Sequence, residues 1–152
     1  MKHLTMKHLP ALLLFALTPA FAGDAEEAGT VKTVKGSVFV ERGAQKLTAK
    51  VGGKLFASDR LLTGADSSVG ITLRDNTQLS AGANSVLSLD NFAFDSTTHA
   101  GTVDATLKKG TLSVISGKIA KNDPGSVSFH TPTVTLGVRG TKFVIETDGK
   151  EE

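Results

Sequence analysis

The sequence predicts an all-β protein, a single twisted roll of short strands that is either solenoid-like or sandwich-like. Three observations predict it. Apolar residues alternate with polar ones over short runs, which marks strands buried on one face. Gly, Asn, Asp and Ser clusters interrupt these runs about every 8–15 residues, a spacing that suits sandwiches, barrels and solenoids rather than βαβ units. From Gly29 onward no stretch shows a helical period.

The chain opens with a basic segment carrying Lys2 and Lys7, an apolar run from Ala11 to Leu17, and Ala20-Phe21-Ala22. A charged start, a short apolar run and small residues at the −3 and −1 positions predict a signal peptide over 1–22, cleaved near Ala22. The run is shorter than the roughly 20 apolar residues that a membrane helix requires. Met-Lys-His-Leu occurs at 1–4 and again at 6–9, so Met6 is an alternative start that gives the same mature chain. Residues 23–28, with Asp24, Glu26 and Glu27, read as a flexible lead-in, and 29–152 as one β domain. No later stretch is apolar enough to anchor the chain, and short Gly-broken strands do not suit an outer-membrane barrel. The expected location is periplasmic or secreted, with no membrane span after signal removal.

Along the domain, Val38 and Val40 flank Phe39. Val69, Ile71 and Leu73 alternate with Gly70, Thr72 and Arg74. Leu87 with Leu89, Leu112 with Val114, Val127 with Phe129, the series Val134, Leu136 and Val138, and Phe143 with Ile145 complete the set. Thr and Val suit such half-buried pleated surfaces. Turn chemistry is expected at Arg42-Gly43-Ala44, Val51-Gly52-Gly53, Thr63 to Asp66, Asp75-Asn76-Thr77, Gly82-Ala83-Asn84, Lys109-Gly110 and Asp123-Pro124-Gly125. Asp75-Asn76 lies between two alternating runs and predicts a tight hairpin, because Asn tolerates positive φ. Phe94 to Val103 reads as an exposed loop. A unit opening on Gly recurs irregularly at Gly36, Gly53, Gly110 and Gly117, which favours coils or rolled sheets without establishing a solenoid code.

Charge and composition exclude several function classes. The whole chain has 17 Lys+Arg and 15 Asp+Glu. Loss of Lys2 and Lys7 with the leader makes the remaining domain neutral, so a basic nucleic-acid binder is not expected. Zero Cys removes disulfides, thiol nucleophiles and zinc–cysteine sites. His99 falls in the expected loop and His130 on the outward face of a strand, and neither has a partner at metal-ligand spacing. Asp59, Asp66, Asp75, Asp90, Asp95 and Asp104 sit beside turn residues, where Asp is a turn former more often than half of an acid–base pair. Gly110 to Lys118 resembles a phosphate loop only superficially, with one residue too many and Ile119 in place of Ser or Thr. No cofactor, metal or catalytic set is expected. Lys32, Lys35, Lys46, Lys50 and Lys54 could share a basic face, read first as solvated surface and second as a docking patch for an anionic glycan or acidic partner.

The most distinctive stretch is Thr131-Pro132-Thr133-Val134-Thr135-Leu136-Gly137-Val138-Arg139-Gly140-Thr141-Lys142-Phe143. Pro132 is expected to open a strand or sit on an edge, since it donates no ladder hydrogen bond. Gly137 and Gly140 bracket Val138-Arg139 and predict a bulge or corner, which Arg139 could pin by pairing with a carboxylate. Thr131, Pro132, Gly137, Arg139, Gly140, Thr141 and Phe143 are the candidate interaction residues.

This stretch resembles the signature of the FecR-like domain family. Gly36-Ser37-Val38, Leu55 to Asp59, Leu62-Thr63, Val69 to Leu73, Asp75-Asn76-Thr77, Leu79 and Asn84 to Leu89 extend the resemblance over about residues 29–146. Asn76 and Ser58 stand where the family often has Gly. The resemblance implies an all-β periplasmic domain. In the family's iron-uptake regulators it follows a cytoplasmic anti-sigma segment and one membrane helix, and it relays the state of an outer-membrane receptor. Neither of those segments is recognised here, so direct sigma-factor control is not expected of this chain. Asp148-Gly149 resembles a hairpin turn without its return strand, which would leave an edge strand free for β-augmentation.

The expected function is therefore a non-catalytic protein-interaction or signalling adaptor of the cell envelope. Its partner would be an envelope protein met through a strand edge or through the loops near Asp95–Gly101 and Gly137–Thr141. The alternative is a module that binds cell-wall or exopolysaccharide. The absence of Trp and Tyr counts against it, because sugar sites rely on flat aromatic platforms and only Phe39, Phe56, Phe92, Phe94, Phe129 and Phe143 remain in the mature chain.

Overall fold

A computed structural model describes residues 26–138 and 142–150. Twelve strands form one continuous sheet in the order β3-β2-β5-β8-β9-β7-β6-β1-β4, with β10, β11 and β12 joined through β9. The strands are β1 Glu27–Lys35, β2 Val38–Arg42, β3 Gln45–Thr48, β4 Lys54–Phe56, β5 Arg60–Thr63, β6 Ser68–Leu73, β7 Gln78–Ala81, β8 Val86–Phe94, β9 Gly101–Ile115, β10 Val127–His130, β11 Thr135–Gly137 and β12 Lys142–Thr147. All pairs are antiparallel except β10 with β9. The all-β expectation holds.

The alternating residues line one aliphatic core. Val69, Ile71 and Leu73 of β6, Leu87 and Leu89 of β8, Leu112 and Val114 of β9, and Val127 and Phe129 of β10 are all buried. Their neighbours in sequence face outward, as a period-two side chain must. β1 begins at Glu27 and Ala28 is fully buried, so the β structure starts two residues earlier than the expected boundary at Gly29.

The roll is closed at a row of stacked corners where the chain crosses between the two halves of the sheet. Gly64 donates to the Ser37 carbonyl at 2.9 Å, Asn84 to the Gly64 carbonyl at 3.0 Å, and Gly82 to the Thr111 carbonyl at 2.9 Å. Hydroxyls reinforce the row. Ser67 Oγ accepts from Ser37 N at 2.9 Å, and Thr63 Oγ1 accepts from Ser85 N at 2.8 Å while donating to the Gly82 carbonyl at 2.6 Å. The recurring Gly units at 36 and 110 are two of these corners, which gives the hint of repetition a physical meaning.

Lys109-Gly110 is not a chain reversal. β9 runs straight through it for 15 residues. Gly110 has φ 99°, and a Cβ there would run into Ser85. The position is the bend at which β9 leaves β8 and β10 and takes up β7 and β12. A second difference is the loop expected from Phe94 to Val103, which shrinks to Asp95–Ala100, because Phe94 ends β8 and Gly101 opens β9.

A third is the short helix α1, Lys118–Asn122, followed by a 3-10 turn at Pro124–Ser126. Five residues are too few to show a period and too few to be stable alone. Asp75, 44 residues away, holds the helix start: its carbonyl accepts from Lys118 N at 2.8 Å and its Oδ2 from Ile119 N at 3.3 Å. The expected hairpin at Asp75-Asn76 joins β6 to β7, with Asn76 at φ 69°. Ser58 has φ 72°. Both positions thus have the left-handed backbone that favours Gly.

Candidate functional site

Of the distinctive stretch at 131–143, residues 131–138 follow β10 in one half of the sheet, and Lys142 and Phe143 open β12 in the other. β10 lies parallel to the first part of β9, with Phe129 opposite Ala105. Pro132 neither opens a strand nor sits on one. It falls in the turn between β10 and β11, which is closed by Thr131 N donating to the Val134 carbonyl at 2.8 Å and Val134 N donating to Thr131 Oγ1 at 3.1 Å. Pro fits there because the turn uses its fixed φ and not its missing N–H. β11 is short, with Leu136 partly buried between exposed Thr135 and Gly137, while Val134 is 48% exposed. Arg139, Gly140 and Thr141 lie outside the described residues, and with them the corner that Arg139 was expected to pin.

β12 follows, antiparallel to the second part of β9, with Lys142 opposite Ile115 and Glu146 opposite Thr111. Among the described residues β9 is its one strand partner. Phe143 and Ile145 face inward. The Phe143 ring meets the buried Phe129 edge-on, 5.5 Å between centroids at 74°. Lys142, Val144 and Glu146 face outward, and Val144 is 63% exposed. A cavity of about 220 Å³ between β11 and β12 is lined by Leu136, Gly137, Phe143, Val144 and Ile145. The structure therefore brings Gly137 and Phe143 together on one apolar groove and places Thr131 and Pro132 at the far end of β11.

An edge strand carries unpaired backbone donors and acceptors that can template another strand. Exposed Val144 beside this groove adds apolar surface where an incoming strand would lie. Chemically, the arrangement is suited to strand addition.

The remaining candidate groups are occupied in holding the fold. Asp59, 1% exposed, accepts from Arg42 Nε at 2.8 Å, Arg42 Nη2 at 2.7 Å and Phe56 N at 2.9 Å. The hydrogen bond to Asp59, against some desolvation, raises the Arg42 pKa from its ordinary value. Asp75 Oδ1 and Oδ2 accept from Thr77 N and Thr77 Oγ1. Asp95 Oδ1 accepts from Thr97 N at 2.8 Å and Thr98 N at 3.1 Å. The bonds from Thr98 and then Thr97 lower its pKa below the ordinary carboxylate value. His99 stacks on Phe94, and His130 bridges Asp104 and Thr135 on the outward side of β10. That pairing was not visible in the sequence, because it depends on β9 and β10 lying side by side. Among the described residues no three His, Cys, Asp or Glu come together as a metal site.

The lysines of the first third come from β1, β3, β4 and the turn between β3 and β4. Lys32 and Lys35 are on β1, Lys46 stacks over Phe39 from β3, and Lys54 pairs with Glu27 at 2.9 Å. β1 and β3 lie far apart in the strand order, yet the roll brings Val31 of β1 and Leu47 of β3 onto one cavity. Lys50 and Lys54 do share a cavity of about 240 Å³, with Leu47, Val40 and Leu55. None of the six Phe among the described residues is exposed, and Phe92 and Phe129 are buried. The flat exposed row that a sugar platform would need is thus missing among the described residues.

The fold defines this as an all-β rolled-sheet domain, and the described residues include no helix long and apolar enough to cross a membrane. The sequence matches the FecR protein family over residues 59–152, more than half of the chain, and the protein belongs to that family. A solved structure described as a cell surface anchoring domain is similar to it at 31% identity, covering 40% of this chain and 82% of that one, with a TM-score of 0.39. No curated protein matches the chain.

Proposed function

We propose that this FecR-family chain is a non-catalytic protein-interaction and signalling adaptor of the cell envelope, exported after cleavage near Ala22, and that it engages a protein by strand addition at β12. The observation that carries this reading is the edge of β12, with Val144 63% exposed beside the groove formed with β11. Backbone pairing supplies affinity in such a mode, and the groove selects the side chain that enters it. Thr131, Pro132, Gly137 and Phe143 lie near that edge in this reading, and Arg139, Gly140 and Thr141 are further candidate interaction residues. The loop Asp95–Ala100 is a second contact surface in this reading.

The test is photocrosslinking in intact envelopes from a reporter at Val144, beside a reporter at Gln78 on the outward face of β7. The expected result is a protein adduct from position 144 that is lost when Glu146→Pro is introduced into the same chain. If position 144 gives no protein adduct and the chain sediments with peptidoglycan, the adaptor reading fails and glycan binding replaces it.

A further inference from the structure

We infer that the strand received by β12 is β12 of a second copy of this chain, so that the domain forms a two-fold homodimer with one sheet running through both copies. This rests on the strand-addition reading above and names its partner. The residues of β12 are self-complementary. Lys142, Val144 and Glu146 form its exposed outer row, and Phe143 and Ile145 its inner row.

A two-fold axis perpendicular to the sheet keeps equivalent faces of both copies on the same side. Directly opposed residues must then come from the same row, so the axis passes through a residue and not between two. Placed at Val144, it sets Lys142 against Glu146 of the second copy and Glu146 against its Lys142. The exposed Val144 side chains meet at the centre, where they leave water together. In the inner row Phe143 faces Ile145 of the second copy, across the groove of about 220 Å³ between β11 and β12.

Neighbouring registers lose this match. An axis at Phe143 sets Lys142 against Val144, and one at Ile145 sets Val144 against Glu146 and Lys142 against Asp148, which lies beyond the end of β12, so neither keeps both ion pairs within the paired strands. Opposite charges directly across an antiparallel pair stabilise it and like charges destabilise it. Register and partner are thus specified by the same two residues. β12 has no Pro and its outer centre is apolar, and its two outer charges, Lys142 and Glu146, are the ones that this register pairs. A single strand pair is a small interface, under roughly 1,200 Å². The expected dissociation constant is therefore micromolar, about 1–100 μM.

Sedimentation of the exported chain, from about 1 μM to 500 μM, tests this. The expected result is a shift from monomer to twice the monomer mass across that range. Lys142→Glu alone and Glu146→Lys alone each place two like-charge contacts in the interface, and each should weaken the dimer about tenfold or more. The double variant carrying both exchanges should recover it. Mixing the two single variants should also recover it, as a heterodimer in which every facing pair is again opposite in sign. Circular dichroism and Tm of each variant check that these exposed substitutions leave the fold intact. A wild type that stays monomeric to 500 μM, or single variants that dimerise as well as wild type, overturns the homodimer. The two readings separate in the crosslinking experiment. A heterologous adduct at Val144 with a monomeric chain keeps the adaptor and removes the dimer. An adduct made only of this chain supports the dimer and removes the heterologous partner.

Discussion

The Arg42–Asp59 pair ties the β2–β3 hairpin to the turn between β4 and β5, and Arg42→Ala tests how much of the fold depends on it. Asp59 is 1% exposed and Arg42 37%. The substitution removes two charge-assisted hydrogen bonds to Asp59, at 2.8 and 2.7 Å, and one to the Lys54 carbonyl at 3.1 Å. It also removes the guanidinium from the Phe56 ring, 4.6 Å from its centroid. Breaking a buried pair from one side costs about 3–5 kcal/mol, because the other charge is stranded. Arg42 lies partly in water, so solvent enters the vacated space and rehydrates Asp59, which brings the pair's share down to about 2 kcal/mol. The lost ring contact adds about 0.5 kcal/mol. The expected destabilisation is about 2–3 kcal/mol, read by urea unfolding, with a Tm lower by about 5–12 °C. Arg42→Lys keeps the charge but not the two-pronged geometry and should cost about 1 kcal/mol. A double-mutant cycle with Asp59→Asn should give a coupling of about 1–2 kcal/mol. An Arg42→Ala variant within about 0.5 kcal/mol of wild type, or a coupling near zero, would refute the reasoning.

Two further predictions concern turns. Ser58 at φ 72° bears a strain that Gly would not, so Ser58→Gly should stabilise by about 0.5–1 kcal/mol in the same unfolding assay. An equal or lower stability would show that the strain is absent or that Gly's extra unfolded-state freedom cancels it. Asp95 is fully exposed, and its lowered pKa comes from the Thr98 and Thr97 amides. A carboxylate depressed in the folded state contributes stability that is present above the unfolded value, roughly 3.9, and lost as pH falls through the folded one. Intrinsic-rate-corrected amide exchange at Thr97 and Thr98 should therefore lose protection as pH drops below about 4, and in Asp95→Asn that pH dependence should vanish. Protection that is flat across this range in wild type would contradict the assigned cause.

The sequence by itself determined the local alternation, most of the turns and the fold class. Val69, Ile71 and Leu73 could only be a strand buried on one face, and Asp75-Asn76 could only reverse the chain there, because period and turn chemistry are written in adjacent residues. It also carried the family, through a stretch whose spacing is independent of the fold around it. Tertiary structure decided what depends on partners distant in sequence. Lys109-Gly110 has turn composition but is a bend, because β9 serves both halves of the sheet and only Gly fits against Ser85. Helix α1 has no readable period and exists because Asp75 satisfies its first amides from 44 residues away. Among the described residues β12 is an edge for the same reason: alternation says which face of Phe143 and Ile145 is buried, but not which strands lie beside them. Strand pairing joins residues far apart in the chain, so the open edge on which the functional reading rests appears only once all the strands are in place.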